Sequence, residues 1–125
     1  MNLNHLTKMD TLCKIRDLYR AIADFEQQFT KHHGVSLNEG MLLCTLQGRP
    51  GQTSGELAEA LGLSASNASK VIRSVEDKQF ITRIIGSADR RQMQFALTPA
   101  GEKLIKSVKQ TELELPDLLK KAVME

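Results

Sequence analysis

The 125-residue chain has no tryptophan, one tyrosine and four phenylalanines, so any core it builds must be mainly aliphatic. No apolar run is longer than the four residues Met41 to Cys44, far short of the roughly 20 that a membrane-spanning helix needs. Only two cysteines occur, Cys13 and Cys44; they form no C-x-x-C pair and no disulfide framework. The histidines His5, His32 and His33 lack H-E-x-x-H or any other metal-ligand spacing. A glycine-rich phosphate loop and a G-x-S-x-G nucleophile elbow are both missing. No cofactor and no catalytic constellation is expected, which leaves binding as the favoured kind of function. The first residues carry no basic patch followed by an apolar stretch, so the expectation is a cytoplasmic chain with no membrane partner.

The chain does hold 41% apolar and 26% charged residues, the proportions of a globular domain, and its length fits one domain over 1–125. Its net charge of +2 is unevenly spread. Residues 34–63 carry one cation against three carboxylates, whereas residues 64–95 carry six against three. The basic excess is therefore central, in Lys70, Arg73, Lys78, Arg83, Arg90 and Arg91, where a nucleic-acid footprint would be sought. An excess this small also suits an ordinary solvated face.

Residues 8–33 read as one long amphipathic helix, because Leu12, Ile15, Tyr19, Ile22, Phe25 and Phe29 recur at steps of three and four. Gly34 offers its stop. A helix of this length buries its stripe more easily against a partner chain than within one small domain. Ser36 followed by Glu39 is a capping box and opens a second helix containing Leu37, Met41, Leu42, Leu43 and Leu46, with Cys44 expected in the core. Thr53 followed by Glu56 repeats the device for a short third helix ending at Leu61. His32 and His33 at the end of the first helix suit its negative dipole end better than a metal.

Gly62 suits a tight turn, and Ser64 caps a fourth helix over 64–79. Ala68, Val71, Ile72 and Val75 share its inward face. Its other face holds Ser66, Asn67, Ser69, Lys70, Arg73 and Ser74, with no carboxylate before Glu76. Two helices joined by a short glycine-containing turn are the helix-turn-helix signature. Small polar and basic side chains without carboxylates are what phosphates and base edges in a major groove accept. The bland alternative is a helical hairpin with a soluble outer face.

After Lys78 the period falls to two. Phe80 to Ile85 is β-prone, Gly86 to Arg91 reads as a turn, and Met93, Phe95 and Leu97 alternate with Gln92, Gln94 and Ala96. The result is a hairpin over 80–97 with Asp89, Arg90 and Arg91 at its tip. Arginines there suit a narrow minor groove, and the Asp89 carboxylate can brace one of them in an extended pose. Thr98-Pro99 then supplies an N-cap and a first-turn proline for a fifth helix with Leu104, Ile105 and Val108. Pro116 begins a last helix carrying Leu118, Leu119 and Val123. The fold class expected is mainly α with a small β-hairpin wing (α+β): a winged helix-turn-helix lobe at 36–98, flanked by helical regions at 8–33 and 99–125.

These residues resemble the multiple-antibiotic-resistance regulator (MarR) family. The likeness is greatest at Asp89-Arg90-Arg91 and Phe95-Ala96-Leu97-Thr98-Pro99-Ala100-Gly101, against the family's D-x-R and L-T-x-x-G. Glu56-Leu57-Ala58, Leu61-Gly62-Leu63-Ser64 and Val75-Glu76-Asp77-Lys78 extend it over roughly residues 36–105. Gln79-Phe80 departs from it, standing where a glycine-hydrophobic pair is usual, and the terminal helices are short. The resemblance implies a homodimer joined through its first and last helices, with Leu12, Ile15, Tyr19, Ile22, Leu115, Leu118 and Leu119 as dimerisation residues. It implies double-stranded DNA as partner, as an inverted-repeat operator. Ser64, Ser66, Asn67, Ser69, Lys70 and Arg73 would then read or clamp the major groove. Arg91, braced by Asp89 and beside Arg90, would enter the minor groove. It further implies a small aromatic or anionic effector in a cleft between the dimer helices and the DNA-binding lobe.

The expected function is therefore a dimeric, sequence-specific DNA-binding transcription regulator, acting as a repressor. A winged-helix protein-interaction module is the alternative; such modules carry apolar or acidic residues on the fourth helix, where this chain has Ser, Asn, Lys and Arg. Cys13 is placed like the reactive cysteine of the family's hydroperoxide-sensing branch, with Lys14, Arg16 and Arg20 near enough to favour its thiolate. Tyr19 does not have that branch's spacing and no second tyrosine exists, so an inert packing cysteine is the competing reading.

Overall fold

A computed structural model describes residues 8–84, 93–111 and 113–124. Among the described residues, six helices and three short strands follow in the order α1 (Lys8–His33), α2 (Leu37–Gly48), β1 (Gln52–Thr53), α3 (Ser54–Leu61), α4 (Ala65–Asp77), β2 (Ile81–Ile84), β3 (Gln94–Leu97), α5 (Pro99–Gln110) and α6 (Asp117–Met124). This is a winged helix preceded and followed by helices. Among the described residues no helix is long and apolar enough to cross a membrane.

Local chemistry sets the helix starts. Ser36 and Thr53 each accept from the N–H three residues on, and Glu39 and Glu56 return the bond to the cap's own N–H. Ser64 accepts from Asn67 N–H, and Thr98 from Gly101 N–H with Pro99 in the first turn. Gly62 ends α3 in the left-handed region at φ 67°, and Leu63 N–H donates back to the Ala58 carbonyl, so α4 starts after a tight turn.

The core is aliphatic, as the composition requires. Leu42, Leu43 and Leu46 of α2 meet Leu57 of α3, Ile72 and Val75 of α4, Ile81 of β2 and Ile105 of α5, with Phe95 the one aromatic ring among them. Cys44 corrects the expectation that it is core: it is exposed. Leu42, Leu43 and Leu46 take up the buried side of α2, which turns Met41 and Cys44, three residues apart, to the other side.

Three strands form an antiparallel sheet in the order β1-β3-β2, one strand more than the hairpin read from the sequence. Ile81 pairs with Leu97 and Ile84 with Gln94, and on the other edge of β3 Gln52 pairs with Phe95. The buried Gln52 amide also donates to the carbonyls of Arg49 at 2.8 Å and Thr45 at 3.2 Å, closing the end of α2.

The hairpin is seated by residues 98 to 101. Thr98 donates its hydroxyl to the Gln79 carbonyl at 2.7 Å and its N–H to the Phe80 carbonyl at 3.0 Å. A Cβ at Gly101 would lie 2.1 Å from that Phe80 oxygen, so only glycine lets α5 come this close. Gln79 itself sits at φ 64°, the conformation for which glycine is the default.

α1 is 26 residues long and rises about 39 Å. Its C-terminal half packs on α2, with Phe29 lying where a Cβ on Gly40 would stand, and α6 folds back against it.

Candidate nucleic-acid interface

α4 presents the residues singled out in the sequence as one exposed surface. Its inward stripe, Ala68, Ile72 and Val75, is buried, which fixes the helix's rotation and turns Ser66, Asn67, Ser69, Lys70 and Arg73 to solvent. Ser66, Ser69, Lys70 and Arg73 line a common open groove that also takes in Ser74 and Asp77. Neither Lys70 nor Arg73 is in an ion pair among the described residues. Ser64 caps the helix and is exposed: its oxygen accepts the Asn67 N–H at 3.1 Å, which leaves the hydroxyl proton free to donate.

Of the two carboxylates nearest this surface, Glu76 is engaged. Glu76 accepts from Arg83 of β2 at 2.7 Å, which ties the end of α4 to the first strand of the hairpin and raises the Arg83 pKa through that hydrogen bond and the attraction of the carboxylate. Asp77 stands at the far end of the groove, one turn beyond Arg73. The first three turns of α4 therefore carry positive and neutral donors alone.

Ser74, read as part of the outward polar face, borders the groove but is half-buried, and its hydroxyl is turned to α2. It donates to Glu39 Oε2 at 2.8 Å, and Lys78 donates to both oxygens of the same carboxylate at 3.0 and 2.9 Å. Sequence reasoning found Glu39 as a helix cap and missed this second role, because its partners lie 35 and 39 residues away. Burial disfavours the Glu39 carboxylate, but the Ser36 N–H, Lys78 and Ser74 hydrogen bonds and the Lys78 charge outweigh it and lower its pKa.

Asp89, Arg90 and Arg91 lie outside the described residues, as does the rest of the segment 85–92. The residues read as dimerisation contacts fall into two groups. Leu12, Ile15, Tyr19 and Ile22 lie exposed on α1, Tyr19 at 74% and Leu12 at 63%, and Leu118 is exposed on α6. Leu119 is buried within this chain, and Leu115 is half-buried before α6 begins. Cys13 is half-buried on α1, and the neighbouring Arg16 donates to Asp17 at 3.1 Å.

A cleft of about 560 Å³ opens between α1, the end of α5 and α6, with Phe25, Phe29, His33, Leu113, Leu115 and Lys120 among its walls. The His33 and Phe29 rings meet at a tilt of 56° with centroids 4.8 Å apart, and the buried His33 Nε2 has no hydrogen-bond partner among the described residues. Burial, with the neighbouring His32, lowers the His33 pKa. No group of three or more His, Cys, Asp or Glu among the described residues is arranged to hold a metal.

The profile of the MarR family matches residues 35–93. A Bacillus subtilis (strain 168) protein, YpoP, described as an uncharacterized HTH-type transcriptional regulator, is 32% identical over 80 residues, covering 64% of this chain. The match spans 57% of that relative's length, little more than half. The crystal structure of the MarR family transcription regulator SP03579 superposes with a TM-score of 0.71 at 25% identity, over 94% of this chain and 76% of that one. The crystal structure of the S. aureus MepR–DNA complex does so with a TM-score of 0.62 at 24% identity, over 76% and 78% of the two chains. The profile match falls on α2, the helix-turn-helix with its outward helix and β2, and over that segment the chain is similar to the MarR family.

Proposed function

We propose that this chain is a dimeric, sequence-specific DNA-binding transcription regulator that represses from an inverted-repeat site. The helix at 64–79 enters the major groove and the wing at 80–97 the adjacent minor groove. The observation that carries this reading is the exposed face of α4, where Ser66, Asn67, Ser69, Lys70 and Arg73 stand together with no carboxylate in its first three turns. The MepR relative, of the same fold, was crystallised on DNA, which supports the same partner here. Dimerisation rests on the exposed apolar stripe of α1, and two-fold symmetry then asks for half-sites about one helical turn apart, or a multiple of it. Such a protein works in the compartment that holds the genome.

The expected place for a small aromatic or anionic effector is between the dimer helices and the DNA-binding lobe; the cleft at Phe29 and His33 lies among the flanking helices instead. It offers aromatic walls, an imidazole nitrogen without a partner among the described residues, and the Lys120 ammonium beside the Glu114 and Asp117 carboxylates. Cys13 remains the candidate for a thiol trigger.

Fluorescence anisotropy tests the reading, using the duplex upstream of the chain's own gene, a scrambled duplex and two salt concentrations. Preferential binding that weakens steeply with salt, at one dimer per site, is expected. Arg91→Ala and Lys70→Ala should each weaken it, Lys70→Ala with a salt slope lower by about one. Equal binding to both duplexes would overturn sequence specificity, and no binding at low salt would move the chain to the protein-interaction class. Adding small aromatic acids, or peroxide with Cys13→Ser as control, tests the two triggers.

A further inference from the structure

The DNA-facing helix is fastened at its C-terminal end by one buried side chain. Glu39 is 5% exposed and lies in the first turn of α2, yet its two oxygens take donors from three places. Oε1 accepts the Ser36 N–H at 2.8 Å and Lys78 Nζ at 3.0 Å, and Oε2 accepts the Ser74 hydroxyl at 2.8 Å and Lys78 Nζ at 2.9 Å. Ser74 and Lys78 are four residues apart, so they project from one side of the last turn of α4 and both close on the same carboxylate. Next to it, Leu37 N–H donates to Glu26 Oε2 of α1 at 3.3 Å, and Gly40 lies under the Phe29 ring. α1, α2 and α4 therefore meet around Glu39.

This arrangement does more than fill a cap. A Ser–Glu capping box is complete with one glutamate oxygen; here both oxygens also serve α4, whose outward residues Lys70 and Arg73 lie within a turn of Ser74. A small swing of α4 about this end would move Ser66 and Asn67, at its other end, the most. Base-edge contacts depend on such positions to fractions of an ångström, whereas phosphate contacts by flexible Lys and Arg tolerate the change. Resting on the DNA-binding reading, we propose that Glu39 is a positioning residue for DNA recognition: its contacts with Ser74 and Lys78 hold α4 at the angle that sequence-specific binding requires.

Charge alone argues the opposite sign, which makes the proposal testable. Glu39→Gln removes a negative charge, and by long-range electrostatics should tighten binding to any duplex. A carboxamide, however, has one acceptor oxygen and sets its NH₂ against a donor, the Lys78 ammonium or the Ser36 N–H. The experiment compares the parent, Glu39→Gln, Ser74→Ala, Glu39→Gln with Lys78→Met, and Asp24→Asn, which makes the same charge change on α1. Each is titrated against the duplex that the parent enriches from a random-sequence pool and against a scrambled duplex, with thermal melting and dimer mass measured alongside.

Glu39→Gln should lose about five- to tenfold in affinity for the enriched duplex, the size of coupling carried by one hydrogen-bonded network. Its affinity for the scrambled duplex should hold or rise. Ser74→Ala, which leaves the α2 cap intact, should lose specificity in the same direction by a smaller factor, and it serves as the test where Glu39→Gln fails to fold. Removing Lys78 as well should restore part of the lost ratio, since the unmatched donor is gone, and Asp24→Asn should keep the parent's ratio. Folded Glu39→Gln and Ser74→Ala proteins with the parent's ratio of the two affinities would overturn the positioning role and leave the DNA-binding function standing. A parent that enriches no sequence would overturn that function, and the role of Glu39 with it.

Discussion

Gln79 is a residue held in a conformation that its side chain disfavours. Its φ of 64° is forced because α4 must end, Phe80 N–H must reach the Val75 carbonyl at 3.0 Å, and the Gln79 carbonyl must face Thr98. A left-handed backbone costs an L-residue roughly 1–2 kcal/mol, while glycine adopts it freely at some cost in unfolded-state entropy. Gln79→Gly should therefore raise stability by about 0.5–1 kcal/mol, seen as a rise in Tm of roughly 2–4 °C. Gln79 is exposed and its hydrogen bond to Thr98 is made by the backbone, so DNA affinity should stay as it is. A fall in Tm would mean that the glutamine side chain holds the turn. The sequence alone marked this position as a departure from the family's glycine; the backbone angle supplies its physical cost.

At the scale of elements, the hairpin depends on how closely α5 approaches it. A methyl group at residue 101 would meet the Phe80 carbonyl oxygen, backbone that cannot turn aside. Gly101→Ala should cost about 1–3 kcal/mol in urea unfolding and weaken DNA binding more than the lost stability alone explains, since the wing is seated on this contact. The Thr98-Pro99-Ala100-Gly101 run is thus a seat for the hairpin as well as a helix start.

The α2–α4 contact adds a pH dependence. Because the Glu39 pKa is lowered from its ordinary value of 4.5, its ionised form stabilises the fold; that contribution is complete above this ordinary, unfolded value and is lost as pH falls through the lowered one. Glu56 is shifted the same way by its Thr53 cap, so the two must be separated by substitution. The gap in Tm between the parent and Glu39→Gln should be widest near neutrality and should close as the pH is lowered below 4. A gap that stays constant over that range would show that the carboxylate charge does not stabilise the fold.

Helix starts were legible because a cap is a local device: Ser36, Thr53, Ser64 and Thr98 each announce an element from within four residues. What was not legible is long-range. β1 is two residues with no alternation of their own and exists because β3 offers them an edge. The second role of Glu39 needed Ser74 and Lys78 brought beside it, and the exposure of Cys44 depends on which side of α2 meets the core. The outward face of α4 was readable since it consists of consecutive turns of one helix.

For the whole molecule, the proposed dimerisation rests on the uncovered apolar surface. Met9, Leu12, Ile15, Leu18, Tyr19 and Ile22 form a stripe along the N-terminal half of α1, and Leu118, Val123 and Met124 add to the exposed apolar surface on α6. Burying large side chains is worth roughly 1.5–3 kcal/mol each when complete, so six partly exposed residues on each of two copies offer on the order of 10 kcal/mol. Association costs an estimated 4–15 kcal/mol in lost freedom, which leaves the α1 stripe alone near balance and makes the α6 residues matter to the outcome. A charge in the middle of the stripe should then be decisive. Tyr19→Glu is expected to sediment as a monomer at micromolar concentration where the parent sediments as a dimer, and to lose the concentration dependence of Tm that a dimer shows. Its lobe should remain folded, because Tyr19 touches none of the core around Leu42, Leu46 and Phe95. Affinity for an inverted repeat should fall toward that for a single half-site. A Tyr19→Glu protein that stays dimeric would place the interface elsewhere, with Leu118→Glu on α6 the next substitution to examine.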